Sequence, residues 1–379
     1  MQIRRVLAAS LAVVALASAG PVLAQRNNQN NRPQPPQMQA DPDTVTLVRL
    51  VDAVSMEQQP APSDIPVAWD SNHFVKGQGG ITYIPFTVSI DRAAMAAPAA
   101  ALYIRVVDKA QAAAAAPAAA APAPAPPANN NSRNNNQKPP APAAPAPPRY
   151  AWDNINFIDI PADGKLSRAI ALQPGEYEAF IAVKERSIPA PVDPKAKPAP
   201  AAAPVVPGKI TVYRRDLSVP NFNGPELTTS SVILASAVEP IAQQLSPAEQ
   251  EGNPYVFGPM RIVPVREGQF SKSAELNVIF WIYGAGSAAN GKPDVLVEYN
   301  FHTRSAAGEK YFNKTAPQEL NAQTLPPEFS VAAGHQLPGS LAVALTPFPV
   351  GDYRLEIKVT DKVTNKVVTQ NANFTVLPV

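Results

Sequence analysis

The sequence predicts an all-β chain built as two β-sandwiches in tandem, and three observations lead there. Gly351 to Val376 alternates, turns and alternates again, as an antiparallel hairpin should. Gly175, Tyr177, Ala179, Ile181 and Val183 match Gly351, Tyr353, Leu355, Ile357 and Val359 at a constant offset, so the chain reads as duplicated. At 379 residues it is long enough for two sandwiches of about 100 to 150 residues each.

The 45% hydrophobic content overstates the core. Much of it is alanine in Ala/Pro tracts with little apolar area per residue, and the 45 prolines turn those tracts away from helix and strand. Met1 to Ala24 has a basic start (Arg4, Arg5), an apolar run from Val6 to Ala17 and a small-residue end, the pattern of a secretory signal peptide. No later stretch approaches the ~20 apolar residues of a membrane span, so no transmembrane segment is expected in the mature chain, which should be soluble in the periplasm or outside the cell. There is no cysteine, hence neither a disulfide nor the lipid-bearing cysteine of a bacterial lipoprotein. Without Arg4 and Arg5 the 32 basic residues fall to 30, equal to the 30 acidic ones, which argues against a nucleic-acid partner.

Taken in order, residues 25–42 are Asn, Gln, Pro and Arg and read as a disordered tether. The first sandwich is expected over 43–220. In its opening segment Leu47, Leu50, Val51 and Val54 fit a helical stripe with Asp43 placed to cap, although the β-branched residues also suit a strand. ITYIPFTVSI is a strand whose Pro85 cannot donate to a ladder, which predicts an edge position or a bulge. ALYIRVVDK, YAWDNINFIDI, LSRAIAL, EYEAFIAVK and GKITVYRRDLSV follow as strands. Two Ala/Pro-rich inserts, 110–148 and 188–207, cannot bury enough apolar surface to offset ordering and are expected outside the packed fold. Pro220 to Pro225 connects to a second sandwich over 226–379. There Ser246, Pro247 and Glu249 suit the start of a short helix, and PMRIVPVRE, ELNVIFWIY, DVLVEYNFH, EKYFNK, SLAVAL and the final hairpin supply strands.

This strand count, with turns between and no cysteine pair, fits immunoglobulin-like or fibronectin-like sandwiches. Phe74, Lys76, Thr82, Ile84 and Phe86 fall on Phe270, Lys272, Val278, Phe280 and Ile282 at an offset of 196, which drops to 176 and then 157 across the two inserts. Two copies of one domain would show this if the first had acquired both inserts; short alternating strands also resemble one another by chance. Tyr177 and Tyr353, each two residues after a glycine, stand where such sandwiches place a corner tyrosine. Phe-x-x-x-x-Glu-Leu-x-Val-x-Phe-x-Ile-Tyr at Phe270 to Tyr283, with Gly-Asp-Tyr-Arg-Leu-x-Ile-x-Val-x-Asp at Gly351 to Asp361, resembles the immunoglobulin-like domain of exported bacterial proteins of uncharacterised role. The resemblance covers about the last 150 residues and implies fold and compartment without a site.

Chemistry-bearing motifs are few. Gly286 to Pro293 has the G-x-x-x-x-G-K of a phosphate loop, but Pro293 replaces the metal-binding hydroxyl and a strand follows instead of a helix, so a hairpin loop is expected. His73, His302 and His335 show no metal spacing. Asp153, Asn154, Asn156, Asp159 and Asp163 fit no calcium-loop template and read as solvated turn residues. No catalytic, cofactor or metal residue is assigned, and no cofactor is expected. One strand stands out. In ELNVIFWIY both faces are apolar, Leu276, Val278, Phe280 and Ile282 on one and Ile279, Trp281 and Tyr283 on the other. That second face is the candidate interaction patch: either it is covered, as in a structural or protein-interaction module whose partner is another exported or cell-envelope protein, or it is an exposed aromatic platform for polysaccharide.

Overall fold

The computed structural model describes residues 41–110, 150–186, 208–243 and 245–379. The expected signal peptide, the tether as far as residue 40 and both inserts, Ala110 apart, lie outside the described residues. In the N-terminal half, helix α1 (Pro42–Ser55) precedes β1 (Val67–Asn72), β2 (Val75–Lys76), β3 (Thr82–Ile90), β4 (Ala99–Asp108), β5 (Trp152–Asp159), β6 (Lys165–Leu172), β7 (Gly175–Glu185) and β8 (Ile210–Val219). Strand β3 pairs with β6 along one edge and with β1 and β2 along the other, and the facing sheet runs β5-β4-β7-β8.

The C-terminal half repeats the plan with additions. Its elements are β9 (Thr228–Thr229), β10 (Ile233–Pro240), helix α2 (Pro247–Gly252), β11 (Val256–Phe257), β12 (Met260–Pro264), β13 (Gln269–Ser271), β14 (Glu275–Tyr283), β15 (Val295–Ser305), β16 (Gly308–Lys314), β17 (Gln318–Leu320), β18 (Leu337–Ala344), β19 (Gly351–Asp361) and β20 (Lys366–Leu377). Strand β14 lies between β18 and the successive β9 and β10, with β12 and β11 beyond β10. The facing sheet runs β13-β20-β19-β15-β16, with β17 also on β15 and β13 parallel to β20. Among the described residues the architecture is all-β sandwich, with two α-helices added.

Alternation of side chains builds a core in each half, because every second residue of a strand points to one face. Ile84, Phe86 and Val88 of β3 meet Leu102, Ile104 and Val106 of β4 in the first core. Leu276, Val278 and Phe280 of β14 meet Val295, Val297, Tyr299 and Phe301 of β15 in the second. Each such side chain contributes about 1.5–3 kcal/mol of burial.

The two halves share register as well as order. Tyr177 pairs with Leu217 and Tyr353 with Phe374, at the same offsets that align the rest of the two hairpins. Both tyrosines are corners: the Tyr177 hydroxyl donates to the Gln173 carbonyl at 2.9 Å, and the Tyr353 hydroxyl to the Pro349 carbonyl at 2.8 Å, four residues back in each case. A second repeated device escaped the sequence reading. Glu185 ends β7 and accepts from the Ala96 and Lys209 backbones; Asp361 ends β19 and accepts from Gly286 and Val363. In each half a buried carboxylate thus ties the crossover between the sheets to the last hairpin.

Two local expectations need correction. Pro85 is on the central strand β3, not at an edge. Its carbonyl accepts from His73 at 2.9 Å, but it has no N–H to return, so the edge strand breaks into β1 and β2 around His73 and Phe74. The released Phe74 backbone bonds Ser231 instead, its N–H to the Ser231 hydroxyl and its carbonyl from the Ser231 N–H, both at 2.9 Å. The helix begins slightly earlier than expected. Asp41, not Asp43, is the cap, accepting from the Asp43 N–H at 2.9 Å, and Pro42 suits the first helical position because no N–H is needed there.

Helix α1 covers the outer face of β5-β4-β7-β8. Leu47, Val51 and Val54 pack on Ala101, Tyr103, Phe180, Ala182 and Val212. Lys184 and Arg186 hold Asp43 and Asp41 at its start, and near its end Asp52 meets Arg105, a fully buried guanidinium stacked 3.7 Å from the Tyr150 ring centre.

Candidate functional site

The apolar second face of β14 is covered by the chain itself, and at Tyr283 it reaches the N-terminal half. Ile279 packs among Ile233, Ala235, Tyr255 and Ile262. Trp281 is half-buried with its ring centre 4.9 Å from that of Phe257. Tyr283 is 5% exposed, lies 5.0 Å from the Phe222 ring and accepts the Lys76 N–H through its hydroxyl at 3.0 Å. Burial pushes its phenol well above the usual range. These contacts come from β10, the β11-β12 hairpin, the connection after β8 and strand β2, so the covering material is the chain's own.

The N-terminal half contributes Tyr83 and His73. The Tyr83 ring stands edge-on to Phe257 at 6.0 Å and its hydroxyl donates to the Pro254 carbonyl at 2.9 Å. Burial raises its phenol to about 12. His73 Nδ1 is 2.9 Å from the Tyr255 hydroxyl, and desolvation lowers the imidazole to about 4. Around this aromatic centre runs a polar rim. Gln336 donates to the Lys76 carbonyl at 3.1 Å, Asn154 and Asn156 both donate to Glu251, and Lys165 stands 3.7 Å from Glu267. The reciprocal Phe74–Ser231 pair completes the seam.

The remaining sequence candidates are dispersed. The segment 284–294 joins β14 to β15, which lie in opposing sheets, so it is a crossover and not the hairpin loop expected. Lys292 donates to the carbonyls of Pro326, Pro327 and Phe329 and so pins a neighbouring loop. His302 faces Tyr311 and His335 accepts from Ser330. Asn154 and Asn156 reach Glu251, while Asp153 accepts from Tyr103 and Asp163 from the Lys165 backbone. Among the described residues no three His, Asp or Glu side chains gather as a metal would require. An open concavity of about 450 Å³ near Pro66, Arg92 and Asp163 has its charges engaged, Arg92 with the Met95 carbonyl and Asp163 as above.

Sequence reading missed His73, Tyr83, Tyr255 and Phe257. The last two carried a usable signal. Tyr255-Val256-Phe257, then Gly258-Pro259, then Met260-Arg261-Ile262 is a short alternating hairpin with its turn.

The fold and the seam define an all-β protein of the sandwich class. No family model matches the chain, and neither does any curated protein. Among solved structures it is similar to trypsin-activated alpha-2-macroglobulin from Escherichia coli, at 8% identity and a TM-score of 0.21 over 83% of this chain and 17% of that one. The native E. coli alpha-2-macroglobulin follows at 9% and 0.20, over 84% and 16%. Salmonella alpha-2-macroglobulin reacted with methylamine gives 9% and 0.20, over 83% and 17%. The match thus spans about 17% of the length of those chains and carries no argument about activity or partner. No helix among the described residues is long and apolar enough to cross a membrane.

Proposed function

We propose that this chain is an exported, non-enzymatic interaction module in which two tandem immunoglobulin-like domains, 43–220 and 226–379, are held in a set orientation to engage another exported or cell-envelope protein. The observation that carries this reading is the use of Ile279, Trp281 and Tyr283 within the chain. Large aromatics on a sheet face are costly to leave exposed, and here Ile279 and Trp281 pack within the second half while Tyr283 reaches across to Lys76 of the first. Rigid spacing of binding surfaces is a task for a structural or interaction module, whereas a sugar platform needs those rings free.

The test compares the wild-type chain with Trp281→Ala in native co-purification from the exported fraction, in urea denaturation and in polysaccharide retention. The expected stability loss is about 2–3 kcal/mol, below the ~3–5 of a fully buried tryptophan because this ring is half-buried. A discrete protein partner is expected with the wild type. A variant of unchanged stability that has lost retention on polysaccharide would overturn the reading.

A further inference from the structure

We propose that the seam between the two halves is an acid-released clasp, with His73 as the residue whose protonation opens it. His73 occupies the break between β1 and β2 that Pro85 creates, so its backbone is held to β3 while its ring faces the other half of the chain. The ring stands edge-on to Tyr255, 5.6 Å between centres, with Nδ1 on the hydroxyl.

The groups around it favour a neutral imidazole. Ser71 on β1 and Thr87 and Tyr83 on β3 bear on the same Tyr255 phenol, all uncharged, and Arg266 beyond β12 adds a positive charge. Lys76, three residues along, places its ammonium 5.9 Å from the Tyr283 ring centre. Desolvation is what shifts the imidazole, while the carboxylates of Asp70 and Glu251 are engaged by the Ser89 hydroxyl and by Asn154 and Asn156. A proton on His73 therefore places a cation in a desolvated aromatic seam, and separating the halves returns it to water.

The direction follows from linkage. Closed, the imidazole is held at about 4; open, it regains its ordinary 6.5, so closure is favoured above 6.5 and weakened progressively as pH falls toward 4. Between pH 7 and pH 5 the opening equilibrium should rise about 20-fold, from these two values. Opening takes Tyr83 off Phe257 and the Lys76 backbone off Tyr283, and so exposes more of these two rings.

Hydrogen exchange on the full chain at pH 7 and pH 5, corrected for intrinsic rates, reads this directly. Peptides covering residues 74–76 and 254–258 should show the rise while the β19-β20 hairpin does not. His73→Gln, which can still hydrogen-bond but does not titrate, should abolish it. An equal rise in that variant, or none in the wild type, would overturn the proposal. The imidazole resonance of His73 in the unmodified protein gives a second readout: a midpoint near 4 is expected, and one near 6.5 would contradict the clasp.

Discussion

Gly339→Ala should destabilise the C-terminal core by about 3 kcal/mol or more, although it adds a single methyl group. Gly339 pairs with Phe280 across β18 and β14, and a Cβ there would come within 2.2 Å of the Phe280 ring, which is fully buried in the second core. The strand cannot shift without disturbing its neighbours Leu337 and Leu341, which pair with Ile282 and Val278. Phe280→Ala alone should cost about 3–5 kcal/mol through the cavity it leaves. The double variant should cost less than the sum by over ~1 kcal/mol, because the new methyl enters the space the ring vacated. Urea denaturation of the three variants checks this, and strict additivity would show that ring and glycine are not in contact.

Asp52→Ala is the second large effect expected. Arg105 is wholly buried on β4 and has its charge met by Asp52 of α1, with Nε donating to the Tyr103 hydroxyl at 2.7 Å and Tyr150 donating to Asp52 at 3.0 Å. Removing the carboxylate leaves an uncompensated buried cation. The loss should fall at the lower end of the ~3–5 kcal/mol seen for broken buried pairs, since Asp52 is one-third exposed and water can partly replace it. Combining Asp52→Ala with Arg105→Met should restore most of the stability, because the pair is then replaced by apolar packing. A loss below about 0.5 kcal/mol in the single variant would mean that α1 is not held by this pair.

The strands were legible because period-two alternation survives in a single sequence, and the likeness of the two halves because both keep the same hairpin register. ALYIRVVDK and DVLVEYNFH illustrate it. Their inward residues Ala100, Leu102, Ile104 and Val106 correspond in pairing to Val295, Val297, Tyr299 and Phe301. The corner tyrosines were legible for the same reason, since each stands at a set distance from a strand start. What covers an outer face was not. Tyr103, Phe180 and Ala182 lie under α1, while the corresponding Glu298, Glu356 and Lys358 of the second half carry charges in ion pairs. The difference is visible in the letters, yet only three-dimensional pairing shows that these positions correspond. Pro85 misled because its cost falls on the neighbouring strand, which breaks and leaves β3 central.

Ile279, Trp281 and Tyr283 were singled out from alternation alone; what meets them was beyond it. Tyr83, Tyr255 and Phe257 come from three separate segments, and His73 from a strand break that no local pattern announces.

Contact between the two halves is tested most directly by zero-length carbodiimide coupling of the intact chain followed by peptide mass spectrometry. Lys165 and Glu267, 3.7 Å apart across the seam, should yield a cross-linked peptide from monomeric protein. Lys358 and Glu298, 3.2 Å apart within one sheet, supply an internal control. Recovery of both cross-links at neutral pH is the predicted result, and recovery of the control alone would contradict a closed seam.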